Sequence, residues 1–243
     1  MVRAELRPLG RRANLIVLYS IVNKYAVEAE LLDKAPKLPK LPKAGKTIPY
    51  VMTPAECAAV LKNGCLHPEH RLAFLLSAHA GLRHSEIRAL RCRDVDLTAN
   101  RLVVRTKIYR GIEDKPKSGD DRAVPLTPEL RAALVLARVD ERPRDERVAL
   151  TVEGKPWGEA GIRFAFGRAL RRARVPKWRL HDLRHFFVTA LLNAGIPPHV
   201  VQELAGHADL ATTQRYAHAT AGDRSTAIAA LSKACSVEIA ASP

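Results

Sequence analysis

Apolar residues recur at intervals of three and four along much of this chain. Leu15, Leu18, Val22, Tyr25, Ala29 and Leu32 keep that spacing, so 12–33 is predicted as an amphipathic helix. The pattern then stops. Lys34, Lys37, Lys40, Lys43 and Lys46 recur every third residue, with Pro36, Pro39 and Pro42 between them. Polyproline II has three residues per turn, so these ammonium groups share one face of a predicted linker over 34–49. Helical signals resume at Thr53-Pro54-Ala55-Glu56, a cap, a proline at the first helical position and a capping-box glutamate. They predict a helix over 55–62, followed by helices over 68–80, which Gly81 ends, and 84–90. Leu102-Val103-Val104, Thr106 to Tyr109 and Ala123-Val124-Pro125-Leu126 read as antiparallel strands, with Gly111 and 115–121 as a polar loop between them. Thr127-Pro128-Glu129 starts another helix. Further helices are predicted over 159–173, 182–193, 198–205, 210–218 and 223–234. The fold class is mainly α with one small antiparallel β-sheet, an α+β arrangement.

Charge changes the picture. Among 243 residues there are 40 Lys+Arg against 25 Asp+Glu, a net charge of +15 and a sequence pI of about 10.1. Such a surplus fits a polyanionic partner, because neutralised phosphates release counterions, or else a solvated basic surface. The Lys/Pro stripe is accordingly either a spacer or a segment that tracks DNA. Cys57, Cys65, Cys92 and Cys235 form no C-x-x-C pair and suggest no zinc site, and they read as reduced, mostly buried thiols of a cytoplasmic protein. The basic residues 1–12 precede only the short apolar run 15–18, which argues against a signal peptide. No apolar run approaches membrane-spanning length. A helix-turn-helix regulator is the fallback for a small basic helical protein.

The candidate chemistry lies mostly in the last third. His181-Asp182-Leu183-Arg184-His185 is followed by Leu204-Ala205-Gly206-His207 and by Gln214-Arg215-Tyr216. Upstream stand Gly81-Leu82-Arg83-His84-Ser85-Glu86 and Lys117-Ser118-Gly119-Asp120-Asp121-Arg122. Arg83, Lys117, His181, Arg184, His207 and Tyr216 together supply two guanidiniums, an ammonium, two imidazoles and a phenol. Cleavage of a phosphodiester by a tyrosine needs those groups: donors for the non-bridging oxygens, a base for the phenol and an acid for the leaving oxygen. Each residue also has a plainer reading. Arg83 fits a basic surface, and Lys117, with Lys115 as its rival, an ordinary loop. His181 and His185 have the i, i+4 spacing of a helical zinc pair, but no glutamate follows the first and no third ligand is evident. Asp182 reads as a helix cap or orienting carboxylate, and His185 as structural. Of five tyrosines, Tyr19 and Tyr25 fit packing of the first helix, Tyr50 lies at the linker end and Tyr109 at a strand end.

In order and spacing these motifs resemble the tyrosine recombinases, the family of phage integrases and Xer-type proteins, over roughly 53–232. Gly81-Leu82-Arg83 through Glu86, Leu90 and Asp94 is similar to the first arginine box. Lys117, then Arg122 and Val124-Pro125-Leu126, is similar to the hairpin that carries the catalytic lysine. His181-x-x-Arg184 resembles the second box. Leu204-Ala205-Gly206-His207, with Tyr216 nine residues later, resembles the third box and the nucleophile. The resemblance implies that Tyr216 attacks phosphorus and forms a 3′-phosphotyrosine, with neither metal nor cofactor. Arg83 and Arg184 would clamp the phosphate, with Glu86 fixing the Arg83 rotamer. Lys117 would protonate the leaving oxygen. His181 would accept the phenol proton or bond the phosphate, and His207 would donate to a non-bridging oxygen. It further implies double-stranded DNA as partner, a homo-tetramer on that DNA, accessory DNA-bending or directionality proteins, and action in the cytoplasm at the nucleoid. The domains expected are 1–33 as the last helix or remnant of a core-binding domain, 34–49 as linker and 50–243 as catalytic domain. The stripe Ala227, Ile228, Ala230 and Leu231 would dock on a neighbouring protomer or on its own domain. Family members usually carry a complete DNA-clamping domain before the linker, and only one helix stands here. A truncated, recombination-deficient DNA-binding remnant that retains catalytic residues is therefore the alternative, and a type IB topoisomerase-like enzyme a third reading.

Overall fold

The computed structural model describes residues 15, 17–26, 28–30, 51–114, 121–207 and 213. The Lys/Pro stripe, Lys117, Tyr216, Cys235 and the helices expected over 210–218 and 223–234 lie outside the described residues. The chain divides into two compact units, Met1–Ile48 and Pro49–Pro243.

The described part of the first unit is helical and includes a π-helical turn, Val22–Ala26. Leu15, Leu18, Ile21 and Tyr25 are exposed.

In the second unit, α1 (Pro54–Ala59) begins as the sequence indicates. Thr53 Oγ1 accepts from Glu56 N at 3.2 Å, and the Glu56 carboxylate accepts from Thr53 N at 2.7 Å. The helix is shorter than expected because it widens into a π turn at Val60–Gly64. There a Cβ on Gly64 would lie 2.6 Å from the Ala169 carbonyl oxygen, so glycine permits a close backbone approach. Next come α2 (Pro68–Ala80) and α3 (His84–Ala89). α2 is buried over most of its length and forms the centre of the core, with α4 (Pro128–Leu136), α5 (Glu159–Ala173) and α6 (Leu180–Asn193) packed around it. Phe74 and Phe166 meet edge to face, 5.1 Å between ring centres. Finally, α7 (Pro198–Ala205) packs on α6 through a smaller cluster of Phe187, Val188, Val201 and Ala205.

The strands depart from the single sheet expected. β1 (Val95–Asp96), β2 (Arg101–Val104) and β5 (Arg122–Pro125) form an antiparallel sheet in the order β1-β2-β5, with Leu102 opposite Val124 and Val104 opposite Arg122. β3 (Lys107–Tyr109) and β4 (Ile112–Asp114) form a separate hairpin. Its two-residue turn places Arg110 at φ 50° and Gly111 at φ 82°, the paired positive φ of a tight hairpin. β4 is exposed at every position, so no apolar alternation announces it. The turn and the Lys107–Asp114 ion pair, 3.3 Å, hold what patterning does not.

Candidate active site

The first arginine motif is organised by its glycine. Gly81 ends α2 in the left-handed region, φ 65°, and a Cβ there would come within 2.6 Å of the Phe187 ring. Its carbonyl accepts a hydrogen bond from Arg184 of α6, which ties the two arginine motifs together. Leu82 is buried, and its carbonyl accepts from Ser77 Oγ at 3.1 Å. Arg83 then caps α3 with extended backbone.

Glu86, one turn into α3, is 2% exposed and saturated with donors. It accepts from Arg83 N and Arg83 Nη1, both at 2.9 Å, and from Arg122 Nη1 at 3.1 Å and Nη2 at 2.6 Å. Burial pushes its carboxyl up. The hydrogen bonds and charge of Arg122, with the charges of Arg83 and Arg184, outweigh burial and hold it down at about 2. A second terminal nitrogen of Arg83, Nη2, donates to the Gly206 carbonyl at 2.9 Å. A guanidinium has five N–H groups, and among the described residues these bonds leave others on Arg83 for an external oxygen.

Arg184 is 1% exposed, whereas Arg83 is half-buried and His181 exposed. α6 begins at Leu180, two residues before the expected start, because the Asp182 carboxylate caps it by accepting from Arg179 N at 2.7 Å. His181 and His185 stack edge to face, 4.5 Å between ring centres. His185 Nε2 lies 4.0 Å from Asp182 Oδ1. Among the described residues, no three His, Cys, Asp or Glu side chains are gathered to hold a metal ion.

His207 follows Gly206, the left-handed end of α7 at φ 65°. Its backbone is held on both sides, His207 N donating to Gln202 O and Gln202 Nε2 donating to His207 O, each at 3.1 Å. Its Nδ1 lies 2.8 Å from the hydroxyl of the fully buried Thr213. Burial, then the charges of Arg184 and Arg83, push this imidazole down to about 3. His181 is pushed down to about 4 by burial, His185, Arg184 and Arg83, against the opposing pull of Asp182. Both rings are neutral at pH 7. A neutral His207 whose Nδ1 accepts the Thr213 hydroxyl proton presents Nε2–H outward as a donor.

Arg83, His181, Arg184 and His207 thus come from three separate segments, the start of α3, the first turn of α6 and the residue after α7, into one electrostatic neighbourhood. Lys117 and Tyr216 fall outside the described residues. The sequence reading gave no role to two neighbours of this site. Arg122 entered only as part of the hairpin motif after Lys117, and Thr213 was given no place. Arg122 alternates with Val124 on the inward face of β5, but no pattern in the sequence ties that face to the site.

Residues 52–222 match the phage integrase family. An integrase/recombinase of Escherichia coli is 32% identical over 215 residues, covering 71% of this chain and 60% of that protein. Tyrosine recombinase XerC of Lactobacillus leichmannii is 33% identical over 150 residues, covering 61% of this chain and 50% of that protein. This chain therefore spans about half to 60% of the length of these curated relatives. Among solved structures, the Tn1549 transposon integrase in complex with a circular intermediate DNA superposes with a TM-score of 0.75. It is 21% identical and covers 94% of this chain and 80% of that one. XerA recombinase gives a TM-score of 0.60 at 20% identity, covering 96% and 84%. These likenesses establish the fold, a mostly helical domain with small antiparallel sheets.

Proposed function

The chain belongs to the phage integrase family, and we propose that it is a tyrosine recombinase that breaks and rejoins double-stranded DNA at specific sites. The observation that carries this reading is the convergence of Arg83, His181, Arg184 and His207, two guanidiniums and two neutral imidazoles from three parts of the chain. Nothing in core packing requires that set. A phosphodiester in transition does.

In the proposed reaction the Tyr216 oxygen attacks phosphorus, the bond to the 5′ oxygen breaks, and a 3′-phosphotyrosyl link forms. His181 takes the phenol proton or bonds the phosphate, and Lys117 protonates the departing 5′ oxygen. Arg83, Arg184 and His207 donate to the non-bridging oxygens as charge builds there. A 5′ hydroxyl of the exchanged strand then attacks the link and releases Tyr216. One phosphoester bond replaces another at each step, so the scheme requires no external energy source. An incoming phosphate counters the Arg83 and Arg184 charges that, together with burial, hold the two imidazoles low in the free protein. Binding therefore raises the His181 pKa toward the range useful for a base.

DNA as partner is supported by the net charge of +15 and by relatives solved with DNA, the Tn1549 integrase and XerH bound to palindromic difH substrate. We assign 50–243 as the catalytic domain, 34–49 as linker and 1–33 as the end of a core-binding domain. The assembly we assign is a tetramer on nucleoid DNA, with accessory DNA-bending or directionality proteins as further partners. The test is incubation with a nicked suicide duplex and a denaturing gel. Wild type should form a protein–DNA adduct, and Tyr216→Phe, which removes one hydroxyl, should form none while still binding DNA. An adduct that persists in Tyr216→Phe would overturn the assignment.

A further inference from the structure

We propose that Arg122 is a positioning residue for strand cleavage, a single guanidinium that locks the Arg83 and His207 segments to the strand that follows the lysine loop. This rests on the cleavage reading above. Arg122 opens β5 opposite Val104 and is 7% exposed, a burial that arginine tolerates only with partners. Its partners lie on two different elements. Nη1 and Nη2 grip the Glu86 carboxylate at 3.1 and 2.6 Å, while Nε donates to the Leu204 carbonyl at 3.1 Å in the last turn of α7. That carbonyl is one of the end groups a helix leaves unsatisfied.

The contacts close a circuit. Glu86 also holds Arg83, and Arg83 donates onward to Gly206, next to His207. Gly206 lies flat on Arg122: a Cβ there would come 2.9 Å from Nη1 and 3.0 Å from Cδ. Lys117 precedes Arg122 by five positions on the same chain segment. A planar fork serves two destinations at fixed angles, which a lysine ammonium cannot copy. A buried ion pair is seldom required for stability alone, since apolar groups of similar volume often serve as well. Its placement here, between a phosphate-facing arginine and a phosphate-facing histidine, points to alignment.

The experiment uses Arg122→Lys, which keeps the charge and loses the fork. Two quantities are read: single-turnover cleavage of a nicked duplex at saturating protein beside DNA affinity, and the His207 ring by NMR between pH 5 and 7 without DNA. We expect cleavage to fall on the order of 100-fold, the scale of an ångström of misalignment, with affinity unchanged. His207 should begin to titrate within that window, whereas in wild type it stays neutral there. Wild-type cleavage with His207 still neutral would overturn the proposal, as would equal losses of cleavage and affinity. If wild type forms no adduct, the cleavage reading fails, and the DNA-free His207 titration still decides the role of Arg122. Should Arg122→Lys fail to fold, Gly206→Ala, which presses on the same guanidinium from α7, is read in the same two ways. If neither folds, Arg122 is a folding residue and the proposal is wrong.

Discussion

Among the described residues, two glutamates sit between pairs of arginines, and they differ in almost everything else. Glu86 is held by Arg83 and Arg122 inside the candidate site, with its side chain 2% exposed. Glu113 is held by Arg91 and Arg147, both at 2.9 Å, on the outer β3–β4 hairpin, with its side chain 33% exposed. Both carboxyls are held down at about 2, by different balances. At Glu113 the Arg147 hydrogen bond is the largest influence and burial a lesser, opposing one. At Glu86 burial is the largest influence, and the arginines must overcome it. An equal pKa therefore does not mean an equal role. The outer pair fastens a hairpin in water that can replace it. The inner pair stands where water cannot, so removing one partner leaves the other uncompensated.

The largest expected effect follows from that contrast. Glu86→Ala leaves Arg122 buried without its carboxylate and should destabilise by roughly 3–5 kcal/mol. Urea unfolding measures it, and a loss no larger than that of Glu113→Gln would erase the distinction. Next is chemistry at the site. Arg83→Lys keeps a positive charge but not the bidentate geometry, and losing one transition-state donor costs about 2.7–4 kcal/mol, on the order of 100- to 1000-fold in cleavage rate. DNA affinity should fall far less, and equal losses in both would mean that Arg83 only anchors DNA.

Acid sharpens the comparison further. His181 and His207 have folded values of about 4 and about 3, below the usual 6.5, so the unfolded chain binds more protons between those limits. Their contribution is complete above pH 6.5 and is lost as pH falls toward the folded values. Glu86 adds a second loss between 4.5 and about 2. The melting temperature should therefore begin to fall below pH 6.5, before any carboxylate titrates, and a flat curve from 6.5 to 5 would contradict the neutral-imidazole picture. The smallest effect belongs to the outer hairpin. Glu113→Gln should cost about 0–1 kcal/mol and less at high salt, because exposed pairs are screened. A larger, salt-independent loss would show that the hairpin is part of the core.

What could be read from the sequence was local. α2 and α7 have the predicted bounds because their end signals lie in adjacent residues: Pro68 and Pro198 open helices, and Gly81 and Gly206 close them at positive φ. Glu86 was legible as the partner of Arg83 because one helical turn separates them. The rest depended on distance. β3–β4 has no apolar period, and its register comes from a turn and ion pairs. The π turn at Val60–Gly64 answers to the close approach of Ala169, more than a hundred residues away in sequence. Arg122 belongs to the site only because β5 folds against the end of α7, which no local pattern announces. Thr213 meets His207 across the end of α7, and neither residue alone signals that pairing.

The most direct test of the account is chemical mapping of the covalent adduct. Wild-type protein trapped on a nicked duplex should be digested with protease and nuclease and read by mass spectrometry. The account predicts one modified peptide, with a nucleotide joined through its 3′ phosphate to the oxygen of Tyr216. A nucleotide found on any other residue, a 5′ linkage, or a trapped complex with no covalent bond would contradict it.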